Sequence, residues 1–309
     1  MIEVSQLTKA YPGVAALSDV SFSVPAGSVM ALLGHNGAGK STTIQILSTL
    51  VQPTSGRAVV AGYDVVHQPA QVRERIGVTG QDACLDLLLT GRENLVLFGR
   101  LRGLRRRAAS RRADELIEQF DLGDAAGRPV QTYSGGMRRR IDIAAALVAP
   151  PRVLFLDEPT TGLDPCSRRQ VWALVTELAA REVTVLLTTQ YLEEADVLSD
   201  SIVILNSGRV VASGTAETLK QETGHSYCEV TVGHPDDVTR LAAMLADLDG
   251  VEAVPANNTV SVRAVDGVGT LAEVVRRTDR SEVAVTDISL RRPTLDDVFL
   301  HLAREPLAR

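Results

Sequence analysis

Cysteine is scarce in this chain, whose 309 residues include three of them: Cys84, Cys166 and Cys228. The three are odd in number and lie far apart, so they lack the closely spaced ligand pairs of a zinc cluster. A small, scattered set of this kind is typical of reduced thiols that pack as ordinary side chains. The sequence therefore predicts neither a disulfide framework nor a structural zinc site.

Long apolar runs are missing as well. No apolar stretch reaches the ~18–20 residues that a helix needs to cross a bilayer. The first residues, Met1 to Gln6, lack the basic and apolar segments of a secretory signal peptide. We therefore expect a cytoplasmic protein. If it works at a membrane, a partner must hold it peripherally on the cytoplasmic face.

The chain also lacks an overall surplus of positive charge. Its formal net charge of −6 argues against general binding to nucleic acid, so no nucleic-acid partner is expected. Apolar residues make up 45% and charged residues 23%, which is typical of a globular protein, and the length allows two domains.

Positive charge is concentrated in one region, Arg92 to Gln119, which is predicted to be helical. Two interpretations of this region stay open. It is either a solvated helical face or a docking surface for anionic lipid headgroups or for an acidic loop of a partner. The arginines concerned are Arg100, Arg102, Arg105, Arg106, Arg107, Arg111 and Arg112.

One segment fits the phosphate-binding pattern G-x-x-x-x-G-K-[ST]. An apolar strand is predicted before it, from Ser28 to Leu33, and a helix after it, from Thr42 to Leu50. Its glycines would turn backbone N–H groups towards a phosphate, Lys40 would hold the β- and γ-phosphates, and Ser41 would offer a hydroxyl to Mg²⁺. The alternative is a purely structural glycine-rich turn. The residues predicted to bind nucleotide are Gly34, His35, Asn36, Gly37, Ala38, Gly39, Lys40, Ser41 and Thr42.

Two carboxylates, Asp157 and Glu158, directly follow a run of large apolar residues that predicts a buried strand. At the carboxyl end of a parallel strand they would face the ligand crevice. Asp157 is predicted to hold Mg²⁺ through water, and Glu158 to activate an attacking water as a general base. The alternative for paired acids is a solvated loop, which the preceding apolar residues disfavour.

A second anion site is predicted at Ser134, Gly135 and Gly136. Ser134 is a good N-cap for a helix predicted over Arg138–Val148, and the two glycines leave backbone N–H groups open at its start.

Two single residues, Tyr11 and Gln81, carry weaker signals for nucleotide or metal binding. Tyr11, beside a predicted turn, either stacks on an adenine ring or only packs. Gln81, after an apolar strand, either reaches a metal-bound water or is solvated.

Taken in order, these motifs resemble the ATPase domain of an ABC transporter over residues 2–220. The corresponding family motifs are Walker A (34–41), Q-loop (Gln81), signature (134–137), Walker B (155–157, then Glu158), D-loop (162–164) and switch (Gln190). The resemblance implies an α/β P-loop NTPase fold with a RecA-like core, an antiparallel β subdomain and a helical subdomain at about 82–140. It implies ATP and Mg²⁺ as cofactors, adenine stacking by Tyr11 and a link between two sites through Asp164.

Three segments are similar to the daunorubicin-resistance type in particular: Tyr133–Arg140, Thr188–Asp196 and Arg292–Phe299. This finer resemblance implies an ATP-bound homodimer on an ABC-2-type membrane permease subunit, powering efflux of a drug, antibiotic or lipid. Two other functions of ABC ATPases fit the sequence less well. The short stretch from Lys40 to Ser134 leaves no room for the coiled-coil insertion of ABC ATPases that act on DNA or ribosomes. The exporter-type segments disfavour an importer ATPase.

The chain departs from the broad family at Gln190, where most members have histidine. Glutamine keeps a hydrogen-bond donor but cannot carry a proton near neutral pH. We expect Gln190 to position the γ-phosphate while Glu158 activates water; the alternative is a weakly hydrolysing ATP-binding regulator. Met137 replaces a common glutamine, with little loss expected.

Residues 224–309 lie beyond the ATPase domain, which we place at 1–223. The predicted order of elements, βαββαβ, indicates a small α+β domain of the ferredoxin-like split type. A capping box at Thr294–Asp297 opens a last short helix. Without a metal or nucleophile pattern, this domain is expected to be an accessory part that regulates or braces a dimer.

Overall fold

The computed structural model describes residues 1–80, 84–223, 226–281 and 283–304. The predicted role of Gln81 therefore lies outside the described residues. By its internal contacts the chain divides into two compact units, Met1–Ala216 and Glu217–Arg309. Within the described ranges, no helix combines the length and apolar composition that crossing a bilayer requires.

The first unit alternates strands and helices, as the sequence predicted. In chain order its elements are β1 (Ile2–Tyr11), β2 (Val14–Val24), β3 (Val29–Leu33), α1 (Lys40–Leu47), β4 (Ser55–Val60), β5 (Tyr63–Asp64), α2 (Pro69–Arg75), β6 (Ile76–Thr79), α3 (Gly91–Leu101), α4 (Arg106–Gln119), α5 (Gly135–Ala146), β7 (Val153–Asp157), α6 (Pro165–Ala180), β8 (Thr184–Thr189), α7 (Leu192–Leu198), β9 (Ser201–Asn206) and β10 (Arg209–Gly214).

Two sheets build this unit. The antiparallel sheet has the order β2-β1-β4-β5, and the larger sheet has the order β10-β9-β3-β8-β7-β6. In the larger sheet β9, β3, β8, β7 and β6 run parallel, and β10 pairs antiparallel with β9. Residues such as Ile2, Leu32, Ile44 and Phe155 join both sheets and α1 in one buried core. Strands β3, β7 and β8 are buried along their whole length, which explains their continuous apolar runs.

The parallel arrangement decides where the functional segments lie. The carboxyl ends of parallel strands meet at one edge of the sheet, where α/β proteins bind ligands. The phosphate loop follows β3, the carboxylate pair ends β7, and Gln190 follows β8. Three segments far apart in sequence thus come together at that edge.

The region Arg92–Gln119 is helical, as predicted, and it forms two helices, because Gly103 adopts a left-handed conformation with φ 86° that reverses the chain between α3 and α4. One prediction about local structure was wrong. The sequence from Pro53 to Gly80 predicts only strands and turns, but this stretch contains helix α2, which begins with Pro69 at a position where proline is well tolerated. The arginines are also not uniformly solvated, since Arg102 and Arg112 donate to backbone carbonyls.

The second unit has the predicted order of elements. Helix α8 (Ala216–Thr223) spans the division, followed by β11 (Ser226–Val232), α9 (Pro235–Met244), β12 (Glu252–Val254), β13 (Thr259–Ala264), α10 (Val268–Asp279), β14 (Val285–Arg291) and α11 (Leu295–Arg304). The strands form an antiparallel sheet of order β12-β13-β11-β14. Residues such as Val230, Leu241 and Val274 form its core. The capping box before α11 is present. The backbone N–H of Thr294 donates to the Asp297 carboxylate, and the backbone N–H of Asp297 donates to Thr294 Oγ1.

Candidate nucleotide-binding site

The phosphate loop joins β3 to α1 in a conformation that its last glycine allows. Gly39 has φ 106°, and a Cβ atom there would lie 2.7 Å from the carbonyl oxygen of Ala16. Helix α1 therefore begins at Lys40 with its first turn pressed against β2. Among the described residues, the N–H groups of Lys40, Ser41 and Thr42 have no backbone acceptor. Such open N–H groups at a helix start form a binding site for phosphate.

Lys40 is buried within the loop that it serves. Its Nζ donates to the carbonyl oxygens of Gly34 and His35, at 2.8 and 3.2 Å. It also forms an ion pair with Glu158, whose Oε1 lies 3.3 Å away, and the two side chains are 4% and 8% exposed. The Lys40 ammonium and the carboxylate of the predicted general base, Glu158, are therefore buried in contact with each other at the sheet edge.

The carboxylate of Asp157 accepts hydrogen bonds from two hydroxyl groups. Ser41 Oγ donates to Asp157 Oδ1 over 3.3 Å, and Thr188 Oγ1 donates to the same oxygen over 2.5 Å. The structure thus brings together Ser41 and Asp157, both predicted as metal ligands. Carboxylate and hydroxyl oxygens are the donors that Mg²⁺ prefers, so the residues present fit that ion.

The backbone at Glu158 is strained. Its φ of 46° lies in the left-handed region, which costs a residue with a Cβ about 1–2 kcal/mol. Two hydrogen bonds hold it, because the N–H of Glu158 points at both the carbonyl oxygen and Oγ1 of Thr188, at 3.1 and 3.0 Å. Strained residues that their surroundings fix in this way cluster at active sites.

A cleft of about 590 Å³ opens over the phosphate loop, a volume that suits a nucleotide-sized ligand. Gln190 is exposed and lines this cleft, so the structure brings the predicted switch residue to the same space as Lys40 and Glu158. The cleft is lined by Val14, Ala15, Ala16, Asn36, Gly37, Gly39, Lys40, Ser41, Thr42, Glu158, Thr161, Gln190 and Ser207.

Three other residues predicted to bind nucleotide, His35, Ala38 and Tyr11, differ in their burial and in their contacts. His35 contacts Asn206 at the end of β9, with Nε2 3.1 Å from Oδ1, and Ala38 is fully buried. Tyr11 ends β1 with 39% of its surface exposed, and the Lys9 ammonium lies 4.9 Å from its ring centroid. Its strand partner Val14 lines the cleft. Stacking of Tyr11 on adenine stays a prediction.

The signature segment opens α5 as predicted. Ser134 is the N-cap and its Oγ accepts from the N–H of Met137 at 3.3 Å. Gly136 packs so closely on α6 that a Cβ atom would lie 2.4 Å from Ser167 Oγ. A second cleft, lined by Gly135, Arg138 and Leu163 among others, shares Glu158 and Thr161 with the first. The two helix starts that are predicted to bind anions thus line two clefts, which share Glu158 and Thr161.

Asp164 has a role within its own chain. Its carboxylate caps α6 by accepting from the N–H groups of Cys166 and Ser167 and from Ser167 Oγ. These hydrogen bonds, the one from the Ser167 side chain first, lower the pKa of Asp164. A link through Asp164 to a second copy of the chain stays a prediction.

Several residues of the site escaped sequence analysis. Thr188 bonds to the Asp157 carboxylate and to the backbone N–H of Glu158, and its only signal was a polar position at the tip of an apolar strand. Glu194 is buried beneath the site, where it accepts from Thr160 Oγ1 and Trp172 Nε1 at 2.9 and 3.1 Å, and burial raises its pKa. Arg139, in a run of three arginines, is buried against the turn that carries Glu158.

Comparisons with known proteins agree with this geometry. A family model described as "ABC transporter" matches residues 17–161, and one for the C-terminal domain of DrrA1-3-like ATP-binding proteins matches residues 214–303. The doxorubicin resistance ATP-binding protein DrrA of Mycobacterium tuberculosis is 51% identical over 95% of this chain and 90% of its own length. The daunorubicin resistance ATP-binding protein DrrA3 of Streptomyces coeruleorubidus is 49% identical over 97% of this chain and 95% of its own.

Among solved structures, a dimeric ATP-binding cassette in a post-hydrolysis state, bound to ADP and Pi, superimposes with a TM-score of 0.64 and 26% identity. The match covers 70% of this chain and 98% of that cassette. The predicted P-loop ABC ATPase fold is thereby confirmed. The chain belongs to the ATP-hydrolysing, ATP-binding subunits of ABC transporters, and within them to the doxorubicin and daunorubicin resistance type.

Proposed function

We propose that this chain is the ATPase subunit of an ABC-2-type exporter, and that it powers efflux of a drug, antibiotic or lipid-like compound through a separate membrane permease. The observation that carries the proposal is the similarity to drug-resistance ATP-binding proteins over 95% of this chain. That similarity includes residues 214–303, which lie outside the ATPase motifs. The protein would work peripherally, at the cytoplasmic face of the membrane.

Two copies of the chain would enclose ATP between them. Each chain carries two anion-binding helix starts, at Lys40 and at Ser134, although one nucleotide needs only one phosphate loop. The second start would bind the γ-phosphate of ATP held by the other copy. Asp164 would contact the neighbouring copy, and residues 224–309 would brace or regulate the dimer. ATP would close this dimer and hydrolysis would let it open.

Each residue at the sheet edge would have a separate role in ATP hydrolysis. Lys40 and the open N–H groups of α1 hold the β- and γ-phosphates and balance their charge. Glu158 accepts a proton from water, whose oxygen bonds to the γ-phosphorus while the bond to the bridging oxygen of ADP breaks. Ser41 and Asp157, with Gln81, would hold Mg²⁺, which supplies further positive charge to the phosphates when bound. Thr188 keeps Asp157 and the Glu158 backbone in place.

Gln190 would donate a hydrogen bond to the γ-phosphate from the far side of the cleft. Because an amide does not titrate, we expect Gln190→His to add a step near pH 6.5, the ordinary pKa of histidine, to the pH profile of turnover. Gln190→Ala should lower turnover about 10-fold, the loss of one hydrogen bond to a charged group. Rates measured from pH 5.5 to 8.5 for the three proteins test this. Equal rates for wild type and Gln190→Ala would remove Gln190 from the mechanism.

Transport can be tested in inside-out membrane vesicles that contain this chain and a candidate six-helix permease. We expect ATP-dependent accumulation of a fluorescent anthracycline, absent from vesicles that lack either protein. The chain should sediment with membranes only when the permease is present. Accumulation in right-side-out vesicles, which measures uptake into the cell, would instead favour an importer.

A further inference from the structure

One arginine of the signature helix reaches across to the catalytic turn. Arg139 lies on α5, about 7 Å along the helix from its N-cap Ser134. Its side chain is buried, with 9% of the residue exposed. Such burial removes solvation from a permanent charge, so its N–H groups need acceptors within the protein.

The acceptors are backbone carbonyls on both sides of Glu158. Arg139 Nη2 donates to the carbonyl oxygen of Asp157 and Nε donates to that of Pro159, both at 2.9 Å. Nη1 donates to the carbonyl oxygen of Gly80, also at 2.9 Å, at the end of the segment that follows β6. One planar guanidinium therefore joins three segments: the signature helix, the catalytic turn and the strand end before Gln81.

The hydrogen bonds from Arg139 to the turn act together with those of Thr188, which lies on the opposite side of the turn. Thr188 fixes the N–H of Glu158, whereas Arg139 fixes the carbonyl groups before and after it. The strained φ of Glu158 is thus held from two directions. Removing either hold would let the turn relax and shift the carboxylate away from the water that it must activate.

The charge of Arg139 is compensated within the same buried place. Asp142, one helical turn further along α5, accepts from Nη1 with Oδ2 3.3 Å away. The carboxylates of Asp157 and Glu194 also act on the guanidinium electrostatically. The carboxylate of Asp142 is therefore a counterion, while the three carbonyl groups are the groups that Arg139 positions.

We propose that Arg139 is a positioning residue that couples the signature helix to the Glu158 turn. The inference rests on the proposed function, in which the start of α5 binds the ATP of the other copy. A displacement of that helix start would then move the carbonyl groups that flank Glu158 in the same chain. ATP binding at one nucleotide site would thereby change the position of Glu158 in the other site.

The test separates positioning from simple loss of a buried ion pair. Arg139→Met alone leaves Asp142 as an uncompensated buried charge and could unfold the chain. The decisive variant is therefore Arg139→Met with Asp142→Asn, which removes both charges. The single variant Asp142→Asn keeps all three carbonyl contacts. Arg140→Met is the matched control, because Arg140 contacts Phe120 and Asp121 rather than the catalytic turn.

We expect the double variant to lose kcat by about 10- to 100-fold, as a misplaced catalytic group does, while KM for ATP changes less than about threefold. Arg139→Lys should also lose kcat, since one ammonium cannot reproduce the planar set of donors. Asp142→Asn should melt at a lower temperature, because Arg139 loses its buried counterion, but the folded variant should keep kcat within about twofold. Arg140→Met should keep kcat within about twofold and melt at the wild-type temperature. A double variant with wild-type kcat would overturn the proposal.

A second measurement does not depend on turnover. Amide hydrogen exchange of a peptide spanning 156–161 reports the turn directly, with a non-hydrolysable ATP analogue as the ligand. In wild type the analogue should slow exchange both there and at the start of α5; in the double variant the turn should exchange faster and stop responding. Equal exchange in both proteins would overturn the coupling. A wild type without ATPase activity, but with this response, would contradict only the proposed function.

Discussion

Glu158→Gln should reduce ATP turnover by at least about 100-fold, the typical contribution of a general base. Glutamine keeps the size of the side chain and one acceptor oxygen, but it cannot accept a proton from water. ATP binding should be preserved or tightened, because Lys40 no longer shares its charge with a carboxylate 3.3 Å away. The variant should therefore hold ATP without cleaving it, and an ATP-bound dimer should accumulate.

Phosphate release by wild type and Glu158→Gln, each assembled with the membrane partner, measures the first effect. Size-exclusion chromatography with ATP measures the second. Glu193→Gln is the matched control, because its carboxylate is 70% exposed and pairs with Arg168 outside the cleft. Equal, near-zero rates for wild type and Glu158→Gln would favour a regulator that binds ATP without hydrolysing it. A variant at the wild-type rate would instead remove Glu158 as the base.

The parts of the site that the sequence predicted are those whose chemistry is local. The phosphate loop needs glycines, a lysine and a serine at fixed spacing, so Gly34 to Ser41 can be recognised without knowing the fold. Asp157 and Glu158 stand out because two charges directly follow a buried strand. The same holds for the helix cap at Ser134 and the capping box at Thr294.

The parts that were missed depend on which elements become neighbours. Thr188 bonds to Asp157 because β7 and β8 pair side by side, with these two residues in register. The apolar runs before Asp157 and before Gln190 predict two strands, but they do not predict the order of those strands in the sheet. Arg139 differs from Arg138 and Arg140 in the direction that it takes from α5, and in the position of the turn after β7. Three adjacent arginines give no sign of which one is buried.

The helix boundaries show the same limit at a smaller scale. Arg92 to Gln119 contains good helix formers on both sides of Gly103, so propensity alone joins them into one helix. The break follows from the left-handed conformation of Gly103, which lets α4 fold back and pack against α3. Packing of the two helices thus outweighs the local preference for continuing the first.

Lys40→Ala should weaken ATP binding by at least about 100-fold. The variant loses charge-assisted hydrogen bonds to phosphate, about 1.5–3 kcal/mol. It also leaves the Glu158 carboxylate, 8% exposed, without its cation and facing the same phosphates. Both effects act against a bound polyanion. Titration with a fluorescent ATP analogue measures the loss, and Arg181→Ala, which removes a cation paired with Glu177 at the end of α6, is the control.

The two contributions to this loss can be separated, because Lys40 and Glu158 form one ion pair. In a protein that carries both Lys40→Ala and Glu158→Gln, the uncompensated negative charge is gone and only the missing phosphate contacts remain. ATP should then bind more tightly than to Lys40→Ala alone, although still more weakly than to wild type, as expected for residues in contact. If Lys40→Ala binds ATP within about threefold of wild type, Lys40 does not hold the phosphates. The loop from Gly34 to Ser41 would then not be the nucleotide site.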